Sequence, residues 1–391
     1  MNESADQTAV VISGGAAYGA FAIGVMKALF AGRSPATDYC ALQANIFTGT
    51  SVGAFNVAVM VSFPEESSLQ TCLRLEDIWL TQVAEYPGRC GNGIFRLRGD
   101  PMEYLDASCL FSPGKIAADA LNDAAVVGRY LLRRTANFLA STAPLRNRLI
   151  DFLNVGSLVD SSSYRDLLHQ VIQEERVFGS TKPLRITATN WITGQAAYFG
   201  NSDFHDDRGT GAIMASSALP GLFPPVIVDG ETYVDGGTVE NTPLQPAIDL
   251  GATVLHVIYL DPSPKFIPLK GQPNTVDTLL RVYYLMLATK IEEDIETARW
   301  INAGIKALEQ LASTGRLTAT EARDYTRAAG QIQKNIDTYK ILTIHRYFPT
   351  STLGGDLGML DFAVDRIASM VQEGERIALV HNCEESGCVV S

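Results

Sequence analysis

The stretch Gly49-Thr50-Ser51-Val52-Gly53 is a G-x-S-x-G pentapeptide that stands between two apolar segments. Residues 45–48 before it are typical of the end of a buried strand, and the small apolar residues 54–61 after it suit a buried helix. A strand, turn and helix in this order form a nucleophile elbow, in which Gly49 and Gly53 let the backbone turn sharply beneath the serine. The pattern therefore predicts either a nucleophilic Ser51 or a glycine-rich turn with a capping serine.

A second small-residue stretch, Ser13-Gly14-Gly15-Ala16-Ala17, follows the first apolar run of the chain. Backbone N–H groups in such a loop point inward at the start of a helix and form a site for negative charge. The loop can hold a phosphate or the oxyanion of an acyl-transfer intermediate, or it can serve close helix–strand packing. It has neither the Gly-Lys-Ser/Thr of a P-loop nor the acidic residue that a dinucleotide-binding fold requires.

Apolar runs typical of strands alternate with helical stretches, which predicts an α/β architecture with a mostly parallel sheet. The run from Thr253 to Leu260 is rich in β-branched and apolar residues, as in a strand buried on both faces. Further strands are expected at residues 8–12, 45–48, 184–190, 196–199, 226–228, 232–234 and 341–347. Helices are expected at residues 20–30, from 52 onwards, within 65–175 and 277–339, and at 362–373.

The composition is that of a globular protein: 46% of the 391 residues are hydrophobic and 19% are charged. The net charge of −12 argues against a nucleic-acid partner, because binding to phosphate backbones relies on dense Lys and Arg. Six scattered cysteines form no CxxC pair and show no zinc-ligand spacing with histidine, so we expect a reduced, cytoplasmic setting and no metal. No signal peptide is evident, and glycines interrupt the apolar stretch 9–31, so no transmembrane helix is expected.

The turn Val234-Asp235-Gly236-Gly237 places an acid after a short apolar run. An Asp beside two glycines is usually a turn former, yet a nucleophilic serine needs a base. The chain has five histidines, and none lies in a conspicuous loop with turn glycines. Two bases therefore remain open on the residues alone: Asp235, or a histidine such as His256 or His381 in a Ser–His–Asp triad.

The glycine loop, the G-x-S-x-G elbow and the D-G-G turn, in this order, resemble the patatin-like phospholipases. Residues 215–225 read ASSALPGLFPP and match the ASxAxPxxFPP stretch of that family. Asn241-Thr242-Pro243-Leu244 matches its N-x-P-L segment, and Leu360-Asp361-Phe362 fits before the last helix. The resemblance covers roughly residues 8–60 and 184–380.

This resemblance implies a three-layer α/β/α fold and a lipid acyl hydrolase of the phospholipase A or lysophospholipase type. The substrate would be a phospholipid or another acyl-ester lipid, and neither metal nor cofactor is implied. Carried over by position, Ser51 is the nucleophile and Asp235 the base. The amides of Gly14, Gly15 and Ala16 would hold the oxyanion, and Gly236 and Gly237 would form the turn after the base.

Two residues depart from the family pattern. Ala16 stands where the family usually has a third glycine, and its Cβ would narrow the loop or require an unfavourable φ. Tyr18 stands where the family usually has Arg or Lys, which removes a positive charge near the site. These two residues leave a second hypothesis open, that the chain is a catalytically weakened lipid-binding or scaffold protein.

We expect a single domain over residues 1–391, with its core at about 8–380, a helical insertion at about 65–180 and a flexible tail at 381–391. Five arginines and no acid lie within residues 124–150, which predicts either a lid that contacts anionic lipid at a membrane surface or a solvated face. These arginines are Arg129, Arg133, Arg134, Arg146 and Arg148.

The last four residues, Cys-Val-Val-Ser, fit the C-a-a-X prenylation pattern. Cys388 is therefore a candidate for farnesylation. Cys383 is a candidate for a second acyl chain, because one lipid chain alone anchors a protein only marginally. The alternative is a frayed tail with an incidental cysteine.

Overall fold

A computed structural model describes residues 7–85, 96–97, 159–220, 223–260, 275–334, 340–354 and 358–390. The predicted basic lid at residues 124–150 lies outside these residues, as does most of the predicted insertion at 65–180.

Ten strands are described. They are β1 (Thr8–Ile12), β2 (Ile46–Thr50), β3 (Arg96–Leu97), β4 (Val159–Asp160), β5 (Leu184–Asn190), β6 (Ala196–Gly200), β7 (Val226–Val228), β8 (Glu231–Asp235), β9 (Val254–Ile258) and β10 (Thr343–Tyr347). Eight of them form one sheet in the order β10-β9-β1-β2-β5-β8-β7, with β6 also paired to β5. The five strands from β10 to β5 are parallel, and β6, β7 and β8 are antiparallel additions. The sheet is therefore mostly parallel at its centre, as the sequence predicts.

The α-helices of the described residues lie before, between and after these strands. They are α1 (Gly19–Phe30), α2 (Val52–Val61), α3 (Ser68–Ile78), α4 (Ser162–Val171), α5 (Glu174–Phe178), α6 (Arg208–Ser216), α7 (Leu244–Asp249), α8 (Thr275–Ser313), α9 (Ala319–Lys334) and α10 (Val364–Leu379). A short π-helix, Trp79–Val83, extends α3. No helix in this part of the chain is both long and apolar enough to cross a membrane.

Strand β1 shows how the sheet is buried on both faces. Val10 and Ile12 belong to one buried apolar cluster, together with side chains of α1, α2 and α10. Ala9 and Val11 belong to a second cluster, together with side chains of α7 and α8. Alternate residues of a strand point to opposite faces, so a continuous apolar strand requires cover on both sides. The arrangement confirms the predicted three-layer α/β/α fold.

Most predicted elements match the observed ones within one or two residues at each end. The strands at 184–190 and 226–228 have the predicted bounds. The last helix differs: predicted at 362–373, it begins at Val364 and ends at Leu379. Phe362 and Ala363 are held in extended form, because the Glu85 amide donates to the Phe362 carbonyl and the Val364 amide donates to the Glu85 carbonyl.

Residues 381–390 do not form the flexible tail that the sequence predicts. Val389 is buried and pairs with Ile344 of the edge strand β10, with both backbone hydrogen bonds formed at 2.7 and 3.0 Å. Arg299 of α8 donates to the Gly387 carbonyl at 2.6 Å. An edge strand presents unpaired backbone groups, and the C-terminal segment satisfies those of Ile344. Sequence composition could not indicate this pairing, which depends on the position of β10 in the sheet.

Helices α1 and α10 cross at a pair of glycines. A Cβ on Gly24 would overlap the carbonyl group of Val371, and a Cβ on Gly374 would overlap the carbonyl group of Phe21. The contact is reciprocal, since each glycine lets the backbone of the other helix approach. Close packing of α10 onto α1 therefore depends on the absence of a side chain at both positions.

We expect Gly374→Ala to lower the free energy of unfolding by about 1–3 kcal/mol, because the added methyl group must push the two helices apart. Gly304→Ala is the matched control, since Gly304 lies within α8 with open space where its Cβ would be. This control should raise stability by about 0.5–1 kcal/mol through helix propensity. Urea denaturation followed by circular dichroism measures both effects, and equal effects of the two variants would contradict the packing argument.

Candidate active site

Ser51 lies at a sharp turn between β2 and α2 and has an unusual backbone conformation. Its φ is 55° and its ψ is −123°, in a region that residues with a side chain rarely adopt. Gly49 and Gly53 allow the turn: a Cβ on Gly49 would overlap the backbone of Gly53, and one on Gly53 would overlap the Ile12 carbonyl. This is the geometry of a nucleophile elbow, in which the serine side chain stands clear of the sheet.

The Ser216 hydroxyl stabilises this turn through two hydrogen bonds. The Ser51 amide donates to the Ser216 hydroxyl oxygen at 2.7 Å, and that hydroxyl donates to the Thr187 carbonyl at 2.6 Å. Ser216 is fully buried at the end of α6. In the sequence, Ser216 is part of the ASSALPGLFPP block, and no local pattern indicates a role for it. Only the fold shows that this side chain connects the elbow to strand β5.

The sheet register brings Asp235 to the same place. Thr50, just before the elbow, is opposite Thr187 of β5, and the next residue, Ala188, is opposite Asp235 of β8. Strand β6 pairs along residues 185–189 and occupies the other edge of β5. Strands β2 and β8 therefore share one edge of β5 and meet end to end, with Ser51 and Asp235 at the junction.

Asp235 is buried, with 2% of its surface exposed. One carboxylate oxygen, Oδ1, accepts the Gly237 amide at 2.7 Å, and the Asp235 amide donates to the Ala218 carbonyl at 2.9 Å. Gly236 is required at the turn, since a Cβ there would overlap the Thr187 carbonyl. The D-G-G sequence thus fixes the carboxylate at the end of β8.

The glycine loop faces the elbow. A Cβ on Gly14 would lie 3.0 Å from that of Ser51. The Gly14 amide, however, donates to the side-chain oxygen of Asn241 at 3.1 Å and to its backbone oxygen at 3.3 Å. Of the three predicted oxyanion donors, the Gly14 amide thus already has an acceptor in a buried asparagine. Asn241 was noted in the sequence only as part of an N-x-P-L match.

The next two amides of the loop, those of Gly15 and Ala16, donate to no acceptor within the described residues. Both residues line the same cleft as Ser51. Ala16 has a φ of 45°, which is the unfavourable conformation expected where an alanine replaces a glycine. Tyr18 is the other residue that departs from the family pattern. It is 3% exposed and belongs to the apolar core.

Ser51 and Asp235 line one cleft of about 630 Å³. Its walls are mainly apolar and come from α2, the π-helix, the loop after α6 and the segment before α10: Val52, Phe55, Trp79, Val83, Leu219, Phe223, Met359, Leu360 and Phe362. Trp79 is fixed by donating its indole N–H to Asn56 at 2.9 Å. A concave apolar site with a few convergent polar groups is the usual form of a ligand-binding pocket.

Tyr164 and Ser217 are further polar residues of the cleft wall, and sequence reasoning did not find them. The Tyr164 hydroxyl lies 3.4 Å from the Ser217 hydroxyl. Burial raises the pKa of Tyr164, and the nearby negative charge of Asp235 raises it further. The phenol therefore stays protonated and neutral beside the carboxylate at physiological pH.

His256 lies away from this cleft. It occupies the middle of β9, opposite Val10 of β1 and His345 of β10, and is 2% exposed. Its Nδ1 lies 3.0 Å from the Tyr347 hydroxyl, and burial lowers its pKa well below the ordinary value. Neither His256 nor His381 is among the residues that line the cleft. The structure does not bring a predicted histidine base to Ser51.

Known proteins are similar to this chain in sequence and in structure. A family model described as patatin-like phospholipase matches residues 10–248. Uncharacterized NTE family proteins of Mycobacterium bovis and Mycobacterium tuberculosis are 24% identical over 154 residues, which is 39% of this chain. The match spans 41% of the length of those relatives. The crystal structure of VipD from Legionella pneumophila is also similar. The alignment covers 97% of this chain and 67% of the VipD chain, at 12% identity and a TM-score of 0.35.

The matched residues 10–248 exceed half of the chain and contain the glycine loop, the elbow and the D-G-G turn. The fold and the match over residues 10–248 agree with the resemblance that the order of these motifs indicates. The chain belongs to the patatin-like phospholipase family.

Proposed function

We propose that this chain is a lipid acyl hydrolase that cleaves carboxylic esters with Ser51 as nucleophile and Asp235 as base. One observation carries the proposal: a serine in the conformation of a nucleophile elbow and a buried carboxylate meet at one edge of β5 and line the same apolar cleft. Family membership supports the same class of reaction.

In the first step, the Ser51 hydroxyl oxygen attacks the ester carbonyl carbon and its proton passes to the Asp235 carboxylate. A carboxylate is a weak base in water, and burial makes it a stronger proton acceptor. The tetrahedral intermediate collapses when the bond to the alcohol oxygen breaks. The proton held by Asp235 then goes to that oxygen, the alcohol leaves, and an acyl-serine remains.

In the second step, a water molecule attacks the acyl-serine while Asp235 takes one of its protons. Collapse of this second intermediate releases the fatty acid and returns the proton from Asp235 to the Ser51 oxygen. The two steps use a single carboxylate as base and then as acid. They use no cofactor.

The developing oxyanion would be held by the amides of Gly15 and Ala16, two residues that line the cleft and whose amides have no other acceptor among the described residues. The N-terminus of α2, which begins at Val52, adds the positive end of a helix dipole at the same point. Loss of one such donor typically costs on the order of a hundred-fold or more in turnover. The engagement of Gly14 by Asn241 would fix the loop in this orientation.

The apolar wall of the cleft favours a lipid acyl chain as the group that enters. Phe55, Trp79, Phe223, Met359 and Phe362 offer a surface that an alkyl chain can cover. A phospholipid or lysophospholipid would place its ester at Ser51 and leave its polar head group outside. Contact with a membrane surface would supply this substrate.

A second candidate function is a lipid-binding protein with a weakened catalytic site. The observation in its favour is the φ of 45° at Ala16, which costs about 1–2 kcal/mol for a residue with a Cβ. Ser51, Asp235 and the glycines of the elbow and the D-G-G turn have the residue types of the family motifs, so we favour the enzyme. Reaction of the folded wild type with a serine-directed probe separates the two candidates.

Ser51→Ala should abolish hydrolysis of a short p-nitrophenyl ester and of phospholipid vesicles, because the nucleophile is lost. Asp235→Asn should lower kcat by about 10²–10⁴-fold, since the amide keeps the contact with Gly237 and cannot accept the serine proton. Asp203→Asn is the matched control, because Asp203 likewise accepts a backbone amide, that of Gly200, at 2.7 Å.

A fluorophosphonate probe adds an independent readout, because it should label the wild type and leave Ser51→Ala unlabelled. A wild type that folds but neither labels nor hydrolyses any ester of the panel would exclude the enzyme and support the lipid-binding candidate. If Asp235→Asn is as active as the Asp203→Asn control, Asp235 is not the base.

Ser216→Ala should lower kcat with little change in KM. The substitution leaves the Ser51 amide and the Thr187 carbonyl without their shared partner and loosens the elbow. Ser62→Ala removes an equally buried serine, whose hydroxyl donates within α2 at 2.8 Å, and serves as control. If both variants lose activity in proportion to stability alone, Ser216 has no positioning role.

His256→Gln should keep kcat/KM at the wild-type level when the protein is folded. In a Ser–His–Asp triad, loss of the histidine would instead cost on the order of 10⁴–10⁶-fold in kcat. Because the side chain is buried, thermal unfolding of the variant is measured alongside activity. A folded His256→Gln protein that has lost activity would support the triad.

A further inference from the structure

Four side chains with metal-binding atoms meet at the edge of the sheet farthest from β7. His345 lies on β10, and His381, Cys383 and Cys388 lie on the C-terminal segment that pairs with it. Their ligand atoms all lie within 4.8 Å of one another. None of the four lines the cleft that contains Ser51. The group is called the His–Cys cluster below.

The distances within the His–Cys cluster are those of a tetrahedral site. The Cys383 sulfur lies 3.4 Å from Nδ1 of His345 and 3.5 Å from Nε2 of His381, and the Cys388 sulfur lies 3.5 Å from the same Nε2. Around a tetrahedral zinc ion, with bonds of about 2.3 Å to sulfur and 2.0–2.1 Å to nitrogen, sulfur and nitrogen ligands stand about 3.6 Å apart. Small shifts of the side chains would complete the site.

His381 is a buried ligand of the cluster, with 7% of its surface exposed. Its Nε2 lies 3.5 Å from both cysteine sulfurs. A thiol is a weak hydrogen-bonding group, so a metal bond would give Nε2 a stronger partner.

The aromatic groups around the cluster fix the two imidazole rings. His345 stacks on His256 with ring centroids 4.8 Å apart, and Tyr347 packs against His381 at 4.6 Å. Tyr347 and His256 are themselves joined by a hydrogen bond of 3.0 Å. Packed and hydrogen-bonded groups behind the ligands are typical of metal sites, because they orient the rings before the ion binds.

We infer that the His–Cys cluster binds one structural Zn²⁺ ion through Nδ1 of His345, Nε2 of His381 and the sulfurs of Cys383 and Cys388. A set of two sulfur and two imidazole ligands in tetrahedral geometry is characteristic of zinc. Each thiol loses its proton on binding, so the two thiolates neutralise the charge of the cation. Four protein ligands leave no open position for a substrate, so the site is structural.

The bound ion would tie the end of the chain to the edge of the sheet. Three of its ligands come from a segment of eight residues and the fourth from β10, where Val389 pairs with Ile344. The two sulfurs are also the candidates for lipid attachment that the C-terminal sequence offers. Zinc binding and prenylation of Cys388 exclude each other, because a thioether carries no thiolate.

The test uses the full chain, purified under reducing conditions, stripped with a chelator and titrated with zinc. We expect binding of about one equivalent of zinc and a rise in Tm on binding. Cobalt added in place of zinc should give a thiolate-to-metal charge-transfer band in the near ultraviolet. Cys383→Ser and Cys388→Ser should weaken zinc binding by at least about a hundred-fold. This loss exceeds the one usually caused by substituting a residue that contacts a metal ligand without binding the metal itself. Cys40→Ser is the control, because Cys40 is an exposed free cysteine.

Thiol alkylation followed by mass spectrometry keeps the test independent of how well the variants fold. In the wild type, zinc should protect Cys383 and Cys388 from alkylation and leave Cys40 reactive. A reduced wild type that binds no zinc overturns the inference, as does zinc binding that is unaffected in both serine variants. A disulfide between Cys383 and Cys388 or a prenyl mass on Cys388, found in protein freshly isolated from its natural host, would also overturn it.

Discussion

The hydrogen-bonded path from the Ser51 amide through the Ser216 hydroxyl to the Thr187 carbonyl is the constraint on which the site depends. The elbow requires a backbone conformation that a residue with a side chain does not adopt on its own. Ser216 stabilises it by joining three separate elements, β2, α6 and β5. The strain at the proposed nucleophile is thus compensated by a buried side chain far along the chain, while glycines on both sides remove the steric conflict.

The same strand, β5, brings the end of β2 and the end of β8 together. Strand β2 ends at Thr50, so its pairing with β5 stops at Thr187. The antiparallel β8 pairs with the next three residues of β5 along the same edge and ends at Asp235. The turn that follows β8 approaches the backbone of Thr187 closely enough to require Gly236. The Gly237 amide then holds the Asp235 carboxylate at this junction.

The histidines are used at the other end of the sheet. His256 stacks on His345 and on Tyr347, and His381 packs against both of these side chains, where β9, β10 and the C-terminal segment meet. The order of strands separates this stack from the cleft, since β1 and β2 lie between β9 and β5. The candidate catalytic residues and the candidate metal ligands therefore lie in two separate sites. Their positions on the strands separate the two groups, and their residue types alone would not.

The sequence by itself determined the fold class, most elements and the three motifs of the site, because those features depend on local patterns: apolar periodicity, glycines at obligatory turns and a serine between them. Tertiary structure decided what depends on contacts between distant residues. Ser216, Asn241 and Tyr164 reach the site through pairings of 50 to 230 positions, as in the bond from the Gly14 amide to Asn241 with a separation of 227. The His–Cys cluster escaped sequence reasoning for the same reason, since His345 joins the other three ligands only because the C-terminal segment pairs with β10.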